Sequence, residues 1–465
     1  MDLKSLEEIR HAAAALASGN RDALDRLVWT GVFAASAELR DASRHVVLEQ
    51  ARSAGLYPAS VQGLYEARGR SEVPATFTVP AINIRGMAYD TARALFRARR
   101  RLDAGVVISE IARSEISYTD QRPSEYTLVV MAAALREGWK GPIFLQGDHF
   151  QINAKKYGGD PAGELDAVKA LTAEALQAGF YNIDVDTSTL VDLSKAGHEA
   201  QQAVNGHLCA ELTAFIRQRE PKGVTTSVGG EIGEVGGKNS TPDEFEAFMK
   251  VYGDAMARMA PGAKGISKIS IQTGTSHGGV PLADGTIAQV KVDFDALQRI
   301  SQIARERYQL GGAVQHGAST LPPQLFSKFP ALGTIEIHLA TEFQSILYDH
   351  PSFPADLKRE IYERLRTLAA DERKPSDTDE QFFYKSRKKA LGPFKRQMWS
   401  IAPAAREAIG KALEDKFVFL LEELGTAGTR ALVEKHAPFV PGSFPAFGHV
   451  VAASKGPEDV SGLSD

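Results

Sequence analysis

One cysteine, Cys209, is present in 465 residues, so no internal disulfide can form and the fold does not depend on an oxidising compartment. Nowhere do roughly 18 apolar residues run together, the length a membrane-spanning helix needs. Positive charge is not in excess either. The 54 Lys and Arg stand against 58 Asp and Glu, a formal net charge of -4 with pI near 6.3. No overall basic field exists to hold a nucleic acid or an anionic membrane, and a small-molecule partner is expected instead. The first residues, Met1 to Glu8, read as acidic and helical rather than as a basic stretch followed by an apolar run. No export signal is visible, which points to the cytoplasm.

What is present is ordinary globular material. Hydrophobic residues make up 43% and charged residues 24%, far from disordered or fibrous composition. The length suggests one large domain with appendages. Residues 1–75 read as a helical extension, Ala-rich with Leu and Val at helical spacing and breaks at Gly19-Asn20 and Tyr57-Pro58. From 351 onward helical text returns, at Leu357 to Ala369 and Ala404 to Leu424, and Ser454 to Asp465 reads as a small, polar, frayed tail.

Between them, residues 76–350 alternate short Val-, Ile- and Thr-rich runs with longer amphipathic segments. The runs are Val79 to Ile84, Gly105 to Ser109, Pro142 to Gln146, Tyr181 to Asp186, Val224 to Val228, Ile266 to Ile271, Gly312 to Gln315 and Gly333 to Ile337. Segments such as Tyr126 to Glu137, Gly163 to Ala178, Ala200 to Arg219, Asp243 to Met259 and Phe294 to Arg307 carry apolar residues at three- and four-residue spacing. Alternation implies parallel pairing, and this many repeats closes a (β/α)8 TIM barrel, with an open doubly wound sheet as the rival.

In a barrel the chemistry sits at the C-terminal ends of the strands. There the sequence places Gly147-Asp148-His149, then Gly229-Gly230-Glu231, then Ser276-His277-Gly278-Gly279, then His316-Gly317-Ala318-Ser319, and finally His338-Leu339-Ala340-Thr341. Three histidines, His149, His277 and His316, on separate strand ends of one rim converge on the axis. Imidazole nitrogen is a preferred ligand of zinc and related divalent metals, and a catalytic zinc needs about three protein ligands with one position open. Glycines beside two of them let backbone N–H groups approach an anion, although tight turns also call for glycine.

These motifs, in order from Val79 to Gln344, resemble the class II, metal-dependent fructose-bisphosphate and ketose-bisphosphate aldolases of carbohydrate metabolism and glycolysis. The resemblance implies a zinc-dependent lyase that cleaves a phosphorylated ketose. It implies Asp148 as catalytic acid/base, Glu231 as an active-site glutamate, and His149, His277 and His316 as ligands to Zn2+ or another divalent metal. Asn83, in Pro80-Ala81-Ile82-Asn83, would lie near substrate. Gly278, Gly317 and Ser319 would offer backbone to phosphate, with His338 and Thr341 lining the same pocket. The partner implied is a small sugar phosphate, and the assembly a homo-oligomer.

Two features depart from that pattern. Where the family reads Asn-Ile-Asp after the eighth strand, this chain has His338-Leu339-Ala340. The family's acidic loop after Gly-Gly is replaced by Lys238-Asn239-Ser240-Thr241-Pro242, with Glu234 as a nearby substitute. The long helical ends are similar to those of larger relatives, so two alternatives stand beside the aldolase: a metal-dependent C4 epimerase of a ketose or keto-acid, and a non-catalytic accessory subunit of an aldolase complex. The basic run Lys385 to Lys389 reads as a solvated helix face, or as a weaker anion grip.

Overall fold

The computed structural model describes residues 2–233, 238–275, 282, 291–445, 458 and 462–463. Its strands are β1 (Leu56–Pro58), β2 (Val79–Asn83), β3 (Ile108–Ala112), β4 (Gly141–Gln151), β5 (Asn182–Asp186), β6 (Ser227–Glu231), β7 (Lys268–Ile271), β8 (Ala313–Gln315) and β9 (Glu336–Leu339). Strands β2 to β9 pair in parallel, each with its chain neighbour, and β2 pairs with β9 to close the ring. This is a (β/α)8 barrel. The short β1 adds a parallel rung to β4 below the ring.

Helices between the strands begin where their sequences say they should. Asp160 accepts from Gly163 N ahead of Pro161–Gln177, Thr241 and Glu244 form a capping box ahead of Pro242–Met259, and Asp293 accepts from Ala296 N ahead of Phe294–Tyr308. The connection from β8 to β9 carries only short helical turns, Pro323–Leu325 and Lys328–Ala331. None of the described helices is long and apolar enough to cross a membrane.

All eight expected runs are strands, but three begin three residues further on than expected. The run Gly105 to Ser109 becomes Ile108–Ala112, Val224 to Val228 becomes Ser227–Glu231, and Gly333 to Ile337 becomes Glu336–Leu339, which places His338 inside the last strand rather than after it. The second shift puts Gly229-Gly230-Glu231, read as a loop, inside β6. Glycine is poor strand material, yet a Cβ at Gly229 would stand 2.3 Å from Asp184 Oδ1 and 2.9 Å from Lys268 Cε. The space its side chain would need is filled by its neighbours' ion pair. In the same way Gly147, Asp148 and His149 lie within β4 rather than after it.

Helices Arg21–Phe33 and Ala37–Ser53 pack on Pro123–Arg136, with Leu6–Ala17 against both of them, and the long helix Pro403–Glu423 packs on Ala88–Leu102. The two ends of the chain meet where Phe33 and Trp399 stack edge to face at 5.2 Å. Glu458 forms an ion pair with buried Arg113, and its carbonyl accepts from the Ser117 hydroxyl, while most of Ser454 to Asp465 lies outside the described residues. One expectation about the C-terminal region is corrected. In the basic run, Lys385, Arg387 and Lys389 pair with Asp377, Asp349 and Glu372, and Arg387 is buried, so that run is not simply a solvated face.

Candidate metal centre

Strand β4 does something a regular strand cannot. Its register against β5 shifts between Gly147 and Phe150, and His149 takes a φ of 37° in the left-handed region. Side chains alternate faces along a regular strand. The bulge lets Asp148 and His149, though consecutive, both reach the barrel interior. Gly147 is required there, because a Cβ would lie 2.5 Å from the Phe150 ring. A non-glycine residue held at positive φ stores about 1–3 kcal/mol of strain, and such residues cluster at functional sites.

The barrel brings His316 to the same place. Its ring centroid lies 4.4 Å from that of His149, and its Nε2 is 3.0 Å from the Ser270 hydroxyl. Its carbonyl accepts from Thr275 Oγ1 at 2.8 Å and Gln315 Nε2 at 2.6 Å, so the backbone carrying the ring is fixed as well. Ligand atoms of Asp148, His149 and His316 all lie within 4.8 Å of one another. Two imidazoles and a carboxylate are a donor set that suits zinc or a related divalent ion. His277 and Gly278 fall in 276–281, and Glu234 in 234–237, outside the described residues.

His149 Nδ1 donates to Asp186 Oδ2 at 2.9 Å and lies 3.4 Å from Glu231 Oε2. A carboxylate on one ring nitrogen sets the tautomer and aims the other nitrogen, the usual support for a metal-binding histidine. Asp186 in turn accepts from Ser188 Oγ at 2.7 Å and Gln151 Nε2 at 2.5 Å. Burial pushes the Glu231 carboxyl well above the usual range, reinforced by the Asp186 charge. Burial would raise Asp148 too, but the charges and hydrogen bonds of His149, His338 and His316 hold it well below.

Asn83, at the end of β2, donates from Nδ2 to Asp148 Oδ2 at 2.9 Å and to Glu115 Oε2 at 3.0 Å. His338 lies on the opposite flank, its Nδ1 3.2 Å from Asp148 Oδ1 and its ring 4.0 Å from that of His316. Gly317 has a φ of 65°, so a side chain there would be strained. Ser319 and Thr341 are buried, Thr341 opening the helix Thr341–Asp349 that follows β9.

Beneath this layer lies one that the sequence reading missed. Lys268 is fully buried, with Nζ 2.8 Å from Asp184 Oδ1, 2.9 Å from Gln146 Oε1 and in contact with Glu336 Oε1. Gln146 Nε2 donates to Glu110 Oε2 at 2.8 Å and to Glu336 Oε1 at 2.9 Å, and the Tyr65 hydroxyl closes the set on Glu336. Glu110, Asp184, Glu336 and His338 also form a possible cation cluster, but the Lys268 ammonium already sits against two of its carboxylates. A signal for this layer existed. Buried parallel strands normally read as unbroken apolar runs, whereas Asp184 and Asp186, Lys268 and Ser270, and Glu336 and His338 alternate with apolar residues.

A sequence model of the class-II fructose-bisphosphate aldolases matches residues 74–417. Among solved structures, the chain is similar to fructuronate-tagaturonate epimerase UxaE from Cohnella laeviribosi, at 12% identity and TM-score 0.56, covering 83% of this chain and 86% of that one. It is also similar to a probable tagatose 6 phosphate kinase from Sinorhizobium meliloti 1021, at 18% identity and TM-score 0.53, over 79% and 95%. A fructose-bisphosphate aldolase from Campylobacter jejuni aligns at 16% identity and TM-score 0.44, over 80% and 96%.

Proposed function

The chain belongs to the class-II fructose-bisphosphate aldolase family, and on that footing we propose that it is a metal-dependent lyase performing reversible aldol cleavage of a phosphorylated ketose. The observation that carries the proposal is the Asp148 carboxylate set against the two converging imidazoles of His149 and His316. A divalent metal, zinc for preference, held by His149, His316 and, from the sequence, His277, would polarise the ketone and stabilise the charge that develops there.

The remaining work falls to side chains. Asp148, kept ionised by its imidazole neighbours, takes the proton from the C4 hydroxyl as the carbon–carbon bond breaks and returns it in condensation. Asn83 holds the far oxygen of that carboxylate. Glu231, whose carboxyl burial and the Asp186 charge raise well above the usual range, can hold or move a proton close to the same centre. Gly278, Gly317 and Ser319 would present backbone N–H groups to the phosphate, with Thr341 lining that side. We place the reaction in the cytoplasm and in a homo-oligomer.

A second reading is C4 epimerisation of a ketose or keto-acid by cleavage and re-addition. His338 in the place where the family reads Asn favours it, and the likeness to a fructuronate-tagaturonate epimerase extends over 83% of the chain. An accessory subunit without activity is the third. Incubating the zinc-loaded protein with ketose mono- and bisphosphates and identifying the products separates them. Triose products support the lyase, a C4 epimer the second reading, and no metal uptake with no turnover the third.

A further inference from the structure

We propose that His338 is a positioning residue, one that holds the Asp148 carboxylate in the orientation from which it exchanges a proton with substrate. The inference rests on the functional reading above and assigns His338 a role other than contact with substrate. Asp148 stands inside the β4 bulge, where the register slips between Gly147 and Phe150. A regular ladder does not fix its direction there, so side-chain partners must. Its two oxygens are gripped from different strands, Oδ2 by Asn83 Nδ2 at 2.9 Å from β2 and Oδ1 by His338 Nδ1 at 3.2 Å from β9.

His338 is itself immobilised. Its Nε2 lies 2.7 Å from Glu336 Oε1, an oxygen also bound by Lys268 and Gln146, and its ring packs 4.0 Å from that of His316. Nδ1 faces Glu110 Oε2 at 3.2 Å as well as Asp148. Both nitrogens are therefore directed at protein carboxylates. Groups that must sit within a few tenths of an ångström of a productive geometry are held by just such supporting contacts. The contacts run from Asp148 through His338 and Glu336 to the buried ion layer around Lys268.

Two amide replacements separate the two ends of the ring. An Asn at 338 puts its nitrogen near the place of Nδ1 and keeps a donor to Asp148. A Gln puts its nitrogen near the place of Nε2 and loses it. We expect His338→Gln to lower kcat about a hundredfold with KM and metal content unchanged, and His338→Asn to keep most of kcat. Added to Asp148→Asn, the Gln exchange should cost nothing further, because a residue that acts through another then has nothing to act on. Equal losses in the two amide variants, or a further loss on the Asp148→Asn background, overturn the proposal. Should His338→Gln fail to fold, His338→Ala with added imidazole takes its place, and kcat that does not recover counts against it. If the wild-type protein turns over no ketose, the functional reading fails while positioning is still readable in crystals. The Asp148 carboxylate should leave Asn83 in the Gln variant and stay on it in the Asn variant, and a carboxylate unmoved in both refutes the inference.

Discussion

The carboxylate of Asp186 accepts from Nδ1 of His149 at 2.9 Å, across 37 residues of chain. That single bond decides which nitrogen of His149 is turned toward the centre of the barrel mouth. Asp186→Asn keeps the shape but offers the imidazole a neutral partner of either polarity. Metal affinity should fall about ten- to a hundredfold, the usual cost of losing such support. Titration of the apo protein with zinc against a competing chelator measures it, and an affinity equal to wild type would release His149 from the proposed ligand set.

Asp148→Asn should retain its metal and lose turnover. The amide fills the same volume between Asn83 and His338 but cannot accept a proton, so kcat should drop by about a hundred- to ten-thousandfold. Elemental analysis and steady-state kinetics on the same preparation test both halves. Near-normal turnover would move the acid/base role to Glu231.

Lys268→Met should destabilise the fold strongly. Removing one partner of a buried ion pair leaves the other's charge uncompensated, at a cost of about 3 to 5 kcal/mol. Here Asp184 and Glu336 would both lose the ammonium between them. Chemical denaturation gives the number, and an unchanged midpoint with an unchanged slope would show that the ion layer does not hold the barrel together.

Stability should depend on pH through Glu110. Burial first, then the Asp148 charge, raises its carboxyl from an ordinary 4.5 to about 8. The folded protein therefore binds a proton that the unfolded chain has released between those values, and in that window stability falls as pH rises. The contribution is fully present below about pH 4.5 and gone above about pH 8. Glu110→Gln, permanently neutral, should flatten the decline in thermal midpoint across that range. A slope identical to wild type would assign the dependence to another group.

The alternation of eight short β-rich runs with amphipathic segments was legible because each barrel strand carries apolar residues on its helix-facing side and crossover helices must be two-faced. Strand ends were less so. Gly229 and Gly230 read as a turn because glycine usually marks one, and only the Asp184–Lys268 pair filling the space beside Gly229 explains a strand there. His149 and His316 were recognisable as ligand candidates because each lies near the C-terminal end of a barrel strand, and every such end opens on one rim.

The amino-acid sequence by itself determined the barrel, the family and the residues from which a metal site could be built, since period, length and motif order are local properties of the chain. Tertiary structure alone decided which of those residues meet. Asp186 against His149, and His338 between Asp148 and Glu336, depend on strand register around a closed ring and on one bulge in β4. A shift of one residue in that register would turn each side chain to the other face, and no pattern within a single strand records it.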